Sequence, residues 1–164
     1  MTRSIEVRHQ EWIDAPPPVV RSQFADLRHH IDTNVHPKLR FEVIEQRPGY
    51  ARFVQEVRLL GLRQRDVFER RIDADGTIVD RSVEGFNRGG SLEFRFEPQT
   101  VAGHDGTRVD IVIRLPQIPV IGPLVRPLLE AQVRREVRAA ALEDKRDIEV
   151  RGYRRPADWT TAAA

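Results

Sequence analysis

Ile13-Asp14-Ala15-Pro16-Pro17-Pro18-Val19-Val20 is the stretch on which the reading of this chain turns. Ahead of it, Ile5, Val7, His9, Glu11 and Ile13 alternate with Glu6, Arg8, Gln10 and Trp12, and a period of two is a strand. The three prolines then lack backbone N–H groups and hold φ near the value of a first helical turn. A strand therefore stops at Asp14 and a helix opens within a few residues. Val20, Phe24, Leu27 and Ile31 recur at helical spacing and carry that helix to about Asp32. Pro37 disfavours helical geometry at His36, so Thr33 to Pro37 reads as a loop.

Strand patterns follow in quick succession: Leu39 to Gln46, Tyr50 to Leu60, Leu62 to Ile72, Thr77 to Glu84, Ser91 to Glu97 and Thr107 to Leu115. Between them lie turn-forming segments, Arg47-Pro48-Gly49, Gly61, Asp73-Ala74-Asp75-Gly76, Gly85 to Gly90 and Gly103-His104-Asp105-Gly106. Asp-Gly suits the positive φ of a hairpin turn. Connections this short predict an antiparallel meander, because parallel neighbours need long crossovers. A proline-rich apolar connector occupies Leu115 to Leu129, and from about Leu124 a helix is predicted to near Val150. Its apolar stripe is Val125, Leu128, Leu129, Val133, Val137, Ala140 and Ala141, with Ile148 beyond. No internal repeat is visible.

The expected architecture is α+β: a curved antiparallel sheet of six or seven strands wrapped around a long C-terminal helix, with a short helical segment after the first strand. One domain over residues 1–153 and a frayed tail over 154–164 complete it. One helix cannot lie flush against a strongly curved sheet everywhere, so a cavity is expected between them.

Composition excludes several classes. With 40% hydrophobic and 32% charged residues among 164, the chain has the balance of a soluble globular protein. No apolar run approaches the ~20 residues of a bilayer span, and Met1 to Trp12 is too charged for a signal peptide. The cytoplasm is the expected compartment. The absence of cysteine removes disulfides, thiolate metal sites, cysteine nucleophiles and iron–sulfur ligation. Lys38 and Lys145 are the only lysines, and acidic residues are interleaved with the many arginines. A nucleic-acid binder segregates its positive charge into a patch; this chain does not, and no nucleic-acid partner is expected.

Strand, Ile13-Asp14-Ala15-Pro16 corner with Val19-Val20, short helix followed by His36-Pro37, meander with Gly106-Thr107-Arg108-Val109 at its last strand, and long closing helix together resemble the START-like helix-grip (SRPBCC) superfamily. Its members include lipid-transfer START domains, polyketide cyclases and dehydratases, coenzyme-Q-binding proteins and plant pathogenesis-related allergens. The resemblance covers roughly Ile5 to Val150. It implies a pocket between helix and sheet for an apolar or amphipathic small molecule such as a lipid, polyketide or isoprenoid, and it does not imply one chemistry.

Polar residues on the apolar strand faces are the candidates for lining that pocket. Gln55 shares a face with Ala51, Phe53, Val57 and Leu59, while Gln64, Asp66 and Arg70 share one with Leu62, Phe68 and Ile72. His9 and Glu11 lie with Ile5, Val7 and Ile13. The expected ligand-binding set is Gln55, Gln64, Asp66, Phe53, Phe68 and His9 from the strands, with Val133 and Val137 from the helix. An enzyme of the cyclase or dehydratase kind would need an acid/base pair in the same cavity, for which His9 with Glu11 or Asp66 with Arg70 are the candidates. A module with a filled core and no pocket is the third alternative.

His29, His30, Asp32 and His36 form the densest group of potential metal ligands. Two histidines and a carboxylate hold iron in Rieske oxygenase catalytic domains, relatives in fold, where an aspartate precedes two histidines separated by four residues. Here Asp26, His29 and His36 leave six between the histidines. His29 and His30 point about 100° apart on a helix, so at most one faces the same partner as His36. They read as surface histidines at a helix end, favourable to its dipole, and neither metal nor cofactor is expected. Gly85, Gly89 and Gly90 follow a strand without opening a helix, which excludes a phosphate loop and leaves a hairpin or bulge. The Leu115–Leu129 connector reads as packing over the open end of the cavity. Membrane contact is disfavoured, because only Arg114 and Arg126 flank the connector. Monomer and homodimer remain equally open.

Overall fold

The computed structural model describes residues 4–116 and 125–154. Strand β1 (Ile5–Ile13) runs into the proline corner, and helix α1 (Pro17–Ala25) starts there with Pro16 as an extended N-cap. Val19 and Val20 donate their backbone N–H groups to the Pro16 carbonyl, so the first turn closes on the corner itself. The single helix predicted to Asp32 is in fact two. Asp26 leaves helical geometry at φ −83° and ψ 77°, and its carboxylate accepts the His29 N–H at 3.0 Å, capping α2 (Leu27–Asp32). That redirection buries Leu27 and His30 and leaves Ile31 40% exposed, off the core face where periodicity had placed it.

The meander consists of β2 (Arg40–Arg47), β3 (Tyr50–Leu59), β4 (Leu62–Ile72), β5 (Ile78–Gly85), β6 (Ser91–Val101) and β7 (His104–Leu115), and helix α3 (Arg126–Glu149) closes the chain. The strands form one open seven-stranded sheet in the order β1-β7-β6-β5-β4-β3-β2, antiparallel throughout. Strands β1 and β2 thus lie at opposite edges, and α1 and α2 carry the chain between them. The last hairpin is longer than expected: Val101 pairs with His104, and the turn is Ala102-Gly103. Gly106 is therefore a strand residue, where a Cβ would stand 2.5 Å from the Ile13 carbonyl and 2.6 Å from the Trp12 ring. Glycine there lets β7 approach the end of β1.

Helix α3 packs Leu129, Val133, Val137, Ala141 and Ile148 into a core shared with Ile5, Val7 and Ile13 of β1 and Val109, Ile111 and Ile113 of β7. Each Val, Leu or Ile among them contributes roughly 1.5–3 kcal/mol when fully buried. The predicted stripe is rotated at its start, with Leu128 64% exposed and Val125 38% exposed. Towards its end the stripe continues through two buried carboxylates, Asp144 and Asp147. No helix among the described residues is long and apolar enough to cross a membrane. Of the apolar connector, residues 117–124 lie outside the described residues, as does the tail from 155.

Candidate functional site

A cavity of about 170 Å³ lies between α3 and the sheet. Phe24, Phe41, Phe68, Leu92, Phe94, Ile111, Val133 and Val137 supply its apolar wall. Phe24 meets Phe94 and Phe96 edge-on, with centroids 5.6 and 5.3 Å apart, which fixes α1 against the sheet. The polar wall residues include Gln55, Arg70, Asp80, Ser82 and Asn87 from the strand side and His30, His36 and Asp144 from the helical side.

Of the residues expected at a pocket, Gln55, Phe68, Val133 and Val137 lie on this wall. Phe53 is buried behind it, stacked on Phe68 with centroids 5.7 Å apart and the Arg70 guanidinium 5.3 Å from its ring. Gln64 and Asp66 have the inward parity read from the pattern but serve the chain itself. Asp66 accepts hydrogen bonds from the Asn87 N–H at 2.6 Å, Asn87 Nδ2 at 2.8 Å and Ser82 Oγ at 3.3 Å, and Gln64 accepts from Asn87 Nδ2 at 3.1 Å. They tie down the turn between β5 and β6. His9 pairs across the sheet with Ile111, but its Nε2 lies 3.4 Å from Glu11 Oε2 and its side chain does not line the cavity.

The Asp66–Arg70 pair considered for acid/base work is not formed. Arg70 instead makes a two-pronged ion pair with Asp80, Nε to Oδ1 and Nη2 to Oδ2 at 2.7 Å each. Its remaining nitrogen donates to the Phe24 carbonyl at 2.9 Å, satisfying the end of α1. A buried guanidinium held on both sides is positioned, not free to swing.

The histidines depart furthest from expectation. His30 and His36 are each only 7% exposed, not surface residues at a helix end. Asp144 Oδ1 gathers three groups: Gln23 Nε2 at 3.0 Å, His30 Nε2 at 3.1 Å and His36 Nε2 at 3.3 Å. His29 turns the other way, its Nε2 2.7 Å from Asp147 Oδ2, so the two adjacent histidines do face different partners. His36 Nδ1 lies 2.8 Å from Glu143 Oε2, placing carboxylates on both sides of that ring. Burial disfavours the His36 cation, but Asp144 and Glu143 outweigh it and push the pKa from 6.5 up to about 10. Burial likewise opposes the Asp144 anion, yet His36 and His30 hold its carboxyl well below the usual carboxylate range.

Asp144 was missed from sequence because an acidic residue in a helix reads as its solvated face. The signal was present in the spacing: Val137, Ala141, Asp144 and Ile148 are successive positions of one stripe.

No family model and no curated protein matches the chain. Solved structures do. TTHA0849 from Thermus thermophilus superposes with a TM-score of 0.79 at 22% identity, over 91% of this chain and 100% of that one. The Zhui aromatase/cyclase from a Streptomyces species matches with a TM-score of 0.66 at 20% identity, over 92% of this chain and 99% of that one. A START superfamily protein from Mycobacterium smegmatis matches with a TM-score of 0.64 at 19% identity, over 84% of this chain and 94% of that one.

Proposed function

From the premise of a START-like helix-grip fold, we propose that this protein binds an amphipathic small molecule in the cytoplasm, in the cavity between sheet and α3. The observation that carries this reading is a lining that is mostly aromatic and aliphatic and carries a few polar groups, His30, His36 and Asp144 on the helical side and Gln55 and Arg70 on the strand side among them. Small-molecule pockets have that composition, since the apolar surface supplies burial and a few polar groups set orientation. A lipid, polyketide or isoprenoid has the matching form. The neighbours named as a START protein and an aromatase/cyclase support the class of ligand, not its identity.

Titration with the amphipathic dye 1-anilinonaphthalene-8-sulfonate tests the reading. Saturable fluorescence at one equivalent is expected, reduced by Val137→Trp, which fills the cavity from α3. Equal dye response in wild type and that folded variant would overturn it. Native mass spectrometry of protein from its own host then identifies the retained molecule.

A second reading is a cyclase- or dehydratase-type reaction in the same cavity. It is favoured by the convergence of His30, His36 and Asp144 on its wall, where ionisable groups of opposite sign meet out of water. Proton exchange into a retained ligand, lost in His36→Gln with ligand affinity kept, would distinguish a reacting site from a binding one.

A further inference from the structure

His30 and His36 are held in the same manner, each with Nδ1 committed away from Asp144. His30 Nδ1 lies 2.7 Å from the Asp26 carbonyl and His36 Nδ1 lies 2.8 Å from Glu143 Oε2. A carbonyl only accepts, so His30 Nδ1 carries a proton and its Nε2 is the atom that faces Asp144. One ligand atom from each of His30, His36 and Asp144 lies within 4.8 Å of the others, and all three residues are buried. An outer nitrogen fixed by a carbonyl or carboxylate is how metal-ligating histidines have tautomer and ring orientation set.

Both Nε2 atoms turn to the one Oδ1, and the two rings stand with centroids 5.1 Å apart. One divalent ion between them would take a lone pair from each of these atoms. The spacing agrees: donors about 2.0–2.2 Å from one ion stand roughly 3.0–3.5 Å apart. The Nε2–Oδ1 separations are 3.1 and 3.3 Å.

Gln23 supplies an independent observation. It is fully buried, and its Oε1 has no hydrogen-bond partner among the described residues. Its Nε2 donates to Asp144 Oδ1 at 3.0 Å and to Asp147 Oδ2 at 3.1 Å and stands 3.5 Å from His30 Nε2, so the side chain with the orphaned oxygen lies against the cluster.

We propose that His30, His36 and Asp144 bind one divalent first-row transition-metal ion, of the zinc or iron(II) kind, with coordination positions open on the cavity side. Two imidazoles and one carboxylate suit that class and not magnesium or calcium, which take oxygen donors. The site stands on donor geometry and does not depend on an apolar ligand being bound. Glu143 is a positioning residue, acting through the His36 ring.

The test is titration of tag-free, chelator-stripped full-length protein with Co²⁺, read by visible d–d absorption, followed by displacement with Zn²⁺. One saturable equivalent is expected, absent in His30→Ala and His36→Ala and retained in His104→Ala. Glu143→Gln is expected to fold and to weaken Co²⁺ binding about 10- to 100-fold. In the wild type, NMR of the Co²⁺ complex is expected to show paramagnetically shifted ring signals from two histidines, a readout that needs no variant. No saturable Co²⁺ binding by the folded wild type, or binding undiminished in both alanine variants, overturns the proposal. Failure here with dye binding intact leaves an apolar pocket without a metal, so the two readings fail separately.

Discussion

Asp144 Oδ1 stands 3.3 Å from His36 Nε2, joining the long closing helix to the loop behind α2. The same oxygen also receives Gln23 and His30, so one carboxylate holds three polar groups that have left water. Asp144→Ala is expected to cost about 3–5 kcal/mol, the range for breaking a buried ion pair from one side. Asp144→Asn keeps the volume and one oxygen and is expected to cost less. Urea denaturation of both variants checks this, and equal losses would assign the whole effect to the lost charge and none of it to packing.

The metal-free protein is expected to be most stable in mildly acidic solution. His36 has a pKa raised from 6.5 to about 10, so its contribution is complete below pH 6.5 and is lost as pH rises through about 10. Asp144 is depressed below 3.8, so its contribution is present above that value and is lost as pH falls beneath it. Unfolding free energy measured across pH in the presence of chelator is expected to decline on both sides of this window. A flat alkaline limb would show that His36 is not paired as described.

The Arg70–Asp80 pair makes a different prediction because both charges are buried and paired at two points. Asp80→Ala is expected to cost about 3–5 kcal/mol by stranding the guanidinium. The double variant Arg70→Met/Asp80→Leu is expected to recover part of that loss. Recovery stays incomplete, because the Phe24 carbonyl loses its donor as well. A double-mutant cycle in denaturant measures the coupling.

Asp66 is expected to matter for stability and not for binding. Asp66→Ala orphans the Asn87 N–H and takes one acceptor each from Asn87 Nδ2 and Ser82 Oγ, a loss of about 1–3 kcal/mol. Gly85→Ala belongs to the same turn: at φ +108° its Cβ would meet the Arg65 carbonyl at 2.3 Å. Both variants are expected to melt earlier while the dye affinity of the folded fraction stays unchanged. Lower affinity at unchanged stability in Asp66→Ala would return that carboxylate to the cavity.

What the pattern of residues made legible was the alternation of the strands. Phe53 and Gln55 on β3, and Phe68 and Arg70 on β4, do point inward, because a period of two leaves one choice of face and the apolar members make it. Alternation cannot say whether an inward polar group faces space or another side chain. Asp66 and Gln55 looked equivalent in sequence, yet one holds a turn and the other meets the cavity. The histidine–carboxylate end was hidden for another reason. His30 and Asp144 are 114 residues apart, and no local periodicity links a residue before the sheet to one after it. The break at Asp26 was equally invisible, since apolar spacing runs straight through a cap that depends on one side-chain hydrogen bond.

The placement of β1 at one edge of the sheet and β2 at the other imposes an order of assembly. Neighbouring strands of the meander, such as β3 and β4, can pair as soon as each hairpin leaves the ribosome, whereas Ile5 must wait for Leu115. Strand β1 therefore cannot join its partner until the six strands after it have been synthesised, and α3, which packs on it, comes later still. The proline corner thus waits for β7. Throughout translation, an apolar strand carrying Ile5, Val7 and Ile13 travels without its partner, a burden for the cell's chaperones that none of the finished protein's surfaces reveals.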